Sequence, residues 1–379
     1  MLRIFVTGDN RIGLKYINHE KSALLAKTRI DAFVDMVRTA NEEECELFVI
    51  TGDLFENTHS LTKREIKELF DILSTFSGAV AILPGNHDYY DIETKLYRYI
   101  GDYLPMYDNI LLMSEYRPYT IELDGKTAVL YPALCTSQHS EGGENNLGKI
   151  ASCDIIPDSS FRIGVAHGSL EGLTIDNEGE YFPMTQGELE SIPVDAWLIG
   201  HTHVPYPTLP DGEYVEAGRI FNPGTHTQTD LANNTEGLCF ILEIEDGDGQ
   251  KRVLAKKVRT GKIRFARRSV SVSHTGLKES LESALSDLPD SSVVDIILTG
   301  AADREEYDSR EGIIEASLSR FIEARCNDVK LTKLISRELI DSEFPETSFA
   351  ARLLYALIDE PKEAQLAYDL LKSLGENEK

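Results

Sequence analysis

The chain is poor in positive charge. Lys and Arg total 38 against 64 Asp and Glu, a net charge of −26 at pH 7 over 379 residues. A surface of that sign repels phosphate backbones, so any nucleic-acid contact needs metal ions or a local patch of cations. Cysteine is sparse too: five residues, an odd count, and no Cys-x-x-Cys. That excludes a disulfide framework and suits a reducing compartment, so a cytoplasmic location is expected. No apolar run is long enough to span a bilayer, which excludes a membrane partner of that kind. The first apolar run begins at residue 2, which leaves no room for a signal peptide. Internal repeats and low-complexity tracts are missing. Length and a 41% hydrophobic content fit one large domain with a smaller one beside it.

Five short apolar stretches share one pattern. They are Ile4-Phe5-Val6-Thr7-Gly8-Asp9, Leu47-Phe48-Val49-Ile50-Thr51-Gly52-Asp53, Ala79-Val80-Ala81-Ile82-Leu83-Pro84-Gly85-Asn86-His87-Asp88, Ile163-Gly164-Val165-Ala166-His167-Gly168 and Trp197-Leu198-Ile199-Gly200-His201-Thr202-His203. Each reads as a buried strand that ends in Gly beside an acid, amide or imidazole. Strand ends of an α/β sheet meet at one edge, where ligands bind. Asp9, Asp53, Asn86, His167, His201 and His203 are therefore expected in one crevice. Two carboxylates, an amide oxygen and three imidazoles suit one or two divalent cations, manganese first, with iron or zinc as alternatives.

These motifs resemble the calcineurin-like metallophosphoesterase superfamily over about two thirds of the chain. Within it, the run from Arg29 into Gly52-Asp53-Leu54-Phe55-Glu56, then Gly85-Asn86-His87-Asp88, His167-Gly168, an acidic insert and Gly200-His201-Thr202-His203 is most similar to SbcD-type nuclease subunits of double-strand-break repair. The resemblance implies a four-layer α/β/β/α sandwich with a small C-terminal α/β cap, and the change of composition near residue 273 sets the domains at 1–272 and 273–379. It implies metal-assisted phosphodiester hydrolysis, DNA as substrate and an SbcC-like coiled-coil ATPase as partner, and it leaves a homodimer open. Asp9 and His203 would hold the first metal, Asp53 would bridge, and Asn86, His167 and His201 would hold the second. His87 would act in the chemistry, with Asp88 as its orienter.

One position departs from the family. Arg11 stands where the family has a His that helps hold the first metal, and Arg cannot ligate a cation. Either Arg11 pairs with nearby carboxylates, or its guanidinium stands in for the charge of a weakened first site and contacts substrate phosphate. Unequal occupancy of the two sites is expected.

The remaining sequence sets out the scaffold. Residues 21–44 read as a helix with an apolar stripe of Leu24, Leu25, Ile30, Phe33, Val34 and Val37. Thr62-Lys63-Arg64-Glu65 is a capping box opening a second helix that buries Ile66, Leu69, Phe70 and Leu73. The aromatic stretch 89–107 is expected to pack over the sheet. A hairpin is expected about Asp124-Gly125. His226 reads as a turn residue. Residues 251–270 hold nine cations and no acid. Among them Arg264, Arg267 and Arg268 are candidate phosphate contacts, against the alternative of a solvated edge strand. Beyond 273 a strand at 291–300 and helices at 311–324, 347–358 and 363–374 are expected. Two rival functions stay open: a phosphoesterase for a small nucleotide or lipid-linked pyrophosphate, and a non-catalytic scaffold.

Overall fold

A computed structural model describes residues 1–56, 61–151, 160–173, 180–232, 234–247, 250–273 and 276–376. The chain divides into two compact units, Met1–Ile263 and Arg264–Lys379.

The first unit is built on two sheets. Strands β1 (Leu2–Thr7), β2 (Leu47–Ile50), β3 (Ala79–Ile82) and β4 (Ile110–Leu112) run parallel. With β11 (Leu238–Gly247), β12 (Gln250–Arg259) and β9 (Val215–Glu216) they form a seven-stranded sheet in the order β4-β3-β2-β1-β11-β12-β9. The second sheet runs β10 (Ile220–Phe221), β8 (Ala196–Gly200), β7 (Phe161–His167), β6 (Lys126–Ala133), β5 (Tyr119–Leu123). Its β5–β6 hairpin turns at Gly125, as the Asp-Gly pair predicts.

Three apolar clusters separate four layers. Phe5, Phe48 and Val80 face helices α1 (Ser22–Glu42), α2 (Lys63–Leu73) and α3 (Lys95–Tyr103). Ile4, Val49, Leu130 and Val165 fill the space between the sheets. Trp197, Tyr131, Ile150 and Leu189 cover the outer face of the second sheet. This is the expected α/β/β/α sandwich. Parallel strands covered on both faces read as continuous apolar runs, which is why the five stretches were legible.

Helix α1 corrects one expectation. Its buried face is Leu25, Arg29, Ala32, Phe33, Met36, Val37 and Ala40, while Leu24, Ile30 and Val34 are exposed. A buried arginine and two alanines hid the true stripe. Burying Phe33 and Met36 outweighs exposing Leu24, since each large side chain removed from water stabilises by roughly 1.5–3 kcal/mol. Helix α2 has its capping box and its four expected core residues. In the aromatic stretch Tyr97 is buried, donates its hydroxyl to the Asp88 carbonyl and packs edge-on with Tyr90, so packing is its role there.

The second unit holds a parallel sheet, β13 (Arg264–Val272), β14 (Ser292–Ala302) and β15 (Glu323–Lys333), in chain order. Helices Leu277–Leu285 and Arg310–Leu318 pack on it. The helix expected at 311–324 ends at Leu318, and β15 follows. That strand shows alternate exposed and half-buried positions with few apolar residues, so its sequence carries no strand signal. The later helices run Arg337–Glu343, Phe349–Leu357 and Pro361–Glu376, and Leu339, Ile340, Leu354 and Tyr368 form their core. No helix among the described residues is long and apolar enough to cross a membrane.

Candidate metal centre

Asp9, Asp53 and Asn86 follow the C-terminal ends of β1, β2 and β3, while His167 ends β7 and His201 and His203 follow β8. The loops after β1 and β2 are joined backbone to backbone: Asp9 N–H donates to Gly52 O at 3.0 Å and Arg11 N–H to Asp53 O at 2.9 Å. Asp9, Arg11, Asp53 and His201 sit in the left-handed region, with φ of 49°, 50°, 52° and 99°. Each such residue costs about 1–3 kcal/mol, and such strain collects where side chains must be re-aimed. The glycines beside them have a reason as well. A Cβ on Gly52 would collide with the His167 ring, and one on Gly85 with Asp53.

The side chains converge. His167 Nδ1–H donates to the Thr51 carbonyl at 2.8 Å, which turns Nε2 into the crevice. That nitrogen faces Asn86 Oδ1 at 3.0 Å and Asp53 Oδ1 at 3.4 Å. Asn86 Oδ1 is also 3.1 Å from His201 Nδ1. Asp9 Oδ2 accepts from the His201 backbone N–H at 2.9 Å, and Asp9 Oδ1 lies 3.5 Å from His203 Nε2. Asp9 Oδ1 and Asp53 Oδ2 are buried with no hydrogen-bond partner among the described residues. The first lies beside His203 Nε2 and the second 3.2 Å from Arg11 Nη2, and buried carboxylate oxygens left without a hydrogen-bond donor need a cation nearby. A backbone carbonyl fixing the ligand tautomer is its usual support. Asp9, Asp53 and His167 lie close enough for one ion, so these residues fit a divalent metal.

Electrostatics follow from burial. Burial and the neighbouring His167 bring the His201 imidazole down to about 4, so it stays neutral and able to ligate. Burial alone would raise the Asp9 carboxyl, but His203, His167 and Arg11 outweigh it and hold it below the usual carboxylate range.

Arg11 reaches into the same crevice. Its Nη2 is 3.2 Å from Asp53 Oδ2 and 3.5 Å from His203 Nε2. Its Nη1 is 2.8 Å from Glu56 Oε2 and 3.1 Å from His87 Nδ1. The pairing expected of Arg11 is therefore present. Glu56 also meets His87 Nδ1, at 3.2 Å.

Asp88 does not orient His87. Its carboxylate accepts from Gly85 N–H at 2.7 Å and Phe55 N–H at 3.0 Å, clamping the loops after β2 and β3. The turn from Gly85 carries Asp88 back beneath itself, and Glu56 arrives at the ring from the other loop. Burial, then the charge of Asp53, push the Asp88 carboxyl up to about 6.

Other site residues carried no sequence signal of their own. Tyr181 stacks on His201, with ring centroids 4.9 Å apart. It lies in a stretch read only as acidic, of which 174–179 fall outside the described residues. Arg29 is buried and donates to Asn10 O at 2.6 Å, Asp9 O at 3.2 Å and Thr227 O at 3.0 Å. His226 donates to the Arg29 carbonyl and faces Asn10, so it is a packing residue.

The cations of 251–270 fall in both units. In the first, Lys251 meets Asp195, Arg252 meets Glu216, Lys256 meets Glu43, and Lys257 and Arg259 meet Asp211. In the second, Arg264, Arg267 and Arg268 lie on β13, where Arg267 meets Asp295 and Arg268 meets Asp287.

Residues 2–205 match the family described as calcineurin-like phosphoesterase. No curated protein matches the chain. Among solved structures, TT1561 of Thermus thermophilus is similar at 12% identity with a TM-score of 0.40, over 68% of this chain and 99% of that one. A dimetal phosphatase from Danio rerio is similar at 12% identity with a TM-score of 0.37, over 68% of this chain and 96% of that one.

Proposed function

The chain belongs to the calcineurin-like phosphoesterase family, and from that premise we propose that it hydrolyses phosphodiester bonds of DNA as an SbcD-type nuclease subunit. Metal-dependent phosphoester hydrolysis comes with the family. The observation that carries the reaction is the meeting of Asp53, Asn86, His167 and His201, with His167 Nε2 3.0 Å from Asn86 Oδ1 and 3.4 Å from Asp53 Oδ1, and His201 Nδ1 3.1 Å from Asn86 Oδ1.

Asp9, Asp53, Asn86, His167, His201 and His203 are the residues that would hold divalent metal. When bound, such an ion supplies charge that polarises a phosphate and acidifies water. Arg11 offers N–H donors beside that position, where a phosphate oxygen can accept them. His87 is held by its backbone N–H, which donates to Asp53 Oδ1 at 2.8 Å, and by Glu56 at its ring Nδ1. With Nδ1 so engaged, Nε2 is the nitrogen that carries a proton to the leaving oxygen. Burial would lower the His87 imidazole, but Glu56 and Asp53 raise it above its ordinary value, which suits an acid.

Support for a polymeric substrate comes from the adjoining cleft. A cavity of about 430 Å³ runs from Arg11 and His203 past Lys15 and His19, with Ile17 exposed beside it. It has room for more than one phosphate, and Arg11 and Lys15 line it together with the acids Glu56 and Asp230. The paired cations of β12 and the net charge of −26 favour a second reading, hydrolysis of a small phosphodiester. The deciding experiment is hydrolysis with Mn²⁺ of linear duplex DNA, single-stranded DNA and bis(p-nitrophenyl) phosphate. The DNA reading expects cleavage of one or both DNA forms. Turnover of the small diester alone would select the second reading.

A further inference from the structure

The crevice has two poles of different character. At one, His167 Nε2 lies 3.0 Å from Asn86 Oδ1 and 3.4 Å from Asp53 Oδ1, and Asn86 Oδ1 lies 3.1 Å from His201 Nδ1. At the other, Asp53 Oδ2 and His203 Nε2 already face a cation, the Arg11 guanidinium, at 3.2 and 3.5 Å. We propose that Arg11 is a built-in replacement for one metal ion, so that the crevice works with one divalent cation and one guanidinium.

Three observations carry this. The guanidinium is held on several sides: Glu56 grips Nη1, Asp53 and His203 face Nη2, and the side chain is 15% exposed. Its backbone is fixed by the Arg11 N–H to Asp53 O bond in a left-handed φ of 50°, which sets the position from which the side chain enters the crevice. Its Nε is buried with no partner among the described residues, so the group is positioned by what lies at its tip. A dication bonded to Asp53 Oδ2 and His203 Nε2 would meet Nη2 in nearly the same place. Guanidinium keeps its charge at any accessible pH, so the pole cannot be vacated by deprotonation. Glu56 completes the device, since it balances Arg11 and holds His87 with the same carboxylate.

The inference rests on the metal-dependent reading above, and metal counting separates the two. Mn²⁺ is titrated into the intact protein by calorimetry, and the loaded protein is examined by electron paramagnetic resonance. The expected result is one tight ion per chain and the six-line signal of an isolated Mn²⁺. Arg11→His should bind a second ion and show a spin-coupled pair. Arg11→Gln, which keeps the length without the charge, should bind a second ion at least about tenfold more tightly than the unmodified protein does. Two tight ions in the unmodified protein would overturn the replacement while leaving the phosphoesterase reading intact. A single ion in both variants would overturn it as well, since the guanidinium would then not be what excludes the second. No tight ion at all would overturn both readings.

Discussion

His87 is the residue on which chemistry and ligation separate. It touches Arg11 and Glu56 and leaves the metal-donor cluster to Asn86 beside it. His87→Ala should lower turnover by about 10²–10⁴-fold while the protein keeps its Mn²⁺, as metal analysis would check. Loss of the metal would make His87 a ligand. Glu56 tunes this ring. In the proposed reaction His87 acts in its protonated form, so activity should fall as pH rises through its pKa. Glu56→Gln removes an anion that raises that pKa, so the alkaline limb of kcat should move to lower pH. An unmoved limb would show that Glu56 leaves the ring's proton alone. Thiol chemistry follows from burial in the same way. Burial pushes Cys45 and Cys239 up to about 12, so alkylation at pH 8 should spare both until denaturant is added.

Among the strands and loops, Asp195 joins the two sheets. It sits just before β8, accepts from the backbone and side chain of Arg162 on β7, at 2.7 and 2.8 Å, and meets Lys251 of β12 at 3.1 Å. Lys251 is 9% exposed in its side chain and also donates to the Ser160 carbonyl. Removing one partner of a buried pair leaves the other charge uncompensated, so Asp195→Ala should destabilise the first unit by about 3 kcal/mol, seen as a lower denaturant midpoint at unchanged slope. Gly52 shows the same dependence on close approach: its φ of 105° and the His167 ring both refuse a Cβ, and that contact lets two strand ends bring their donors together.

Over the whole molecule, charge is arranged by pairing across distance. The cations of 251–259 find Asp195, Glu216, Glu43 and Asp211, acids far away in sequence. On β13, Arg267 and Arg268 are paired too, but at 60% and 31% side-chain exposure they remain open to a phosphate. If they and Arg264 contact DNA, charge reversal of all three should weaken binding and flatten its salt dependence, by roughly 0.9 in log–log slope for each phosphate no longer neutralised. Unchanged affinity and slope would leave these residues as strand surface. The clusters of the first unit draw only on residues up to Val258, so a chain ending at Ile263 should unfold cooperatively and still turn over a small diester.

The sequence by itself placed the candidate donors at strand ends. A buried parallel strand must be a continuous apolar run, and the Gly and polar residue that end it mark where the chain turns into the crevice. The strand-end positions of Asp9, Asp53, Asn86, His167, His201 and His203 were therefore legible from the residues, while the four layers came from the family resemblance. Only the tertiary structure decided who faces whom. Asp88 is next to His87 in sequence yet bonds Gly85 and Phe55, while Glu56 comes from another loop to take the ring. The stripe of nine cations without an acid read equally as a phosphate strip or a solvated edge strand, and acids from elsewhere in the chain meet most of it. Strand ends are written in local periodicity. Partners for a charge are chosen by distance after folding, and nothing in the neighbouring residues records that choice.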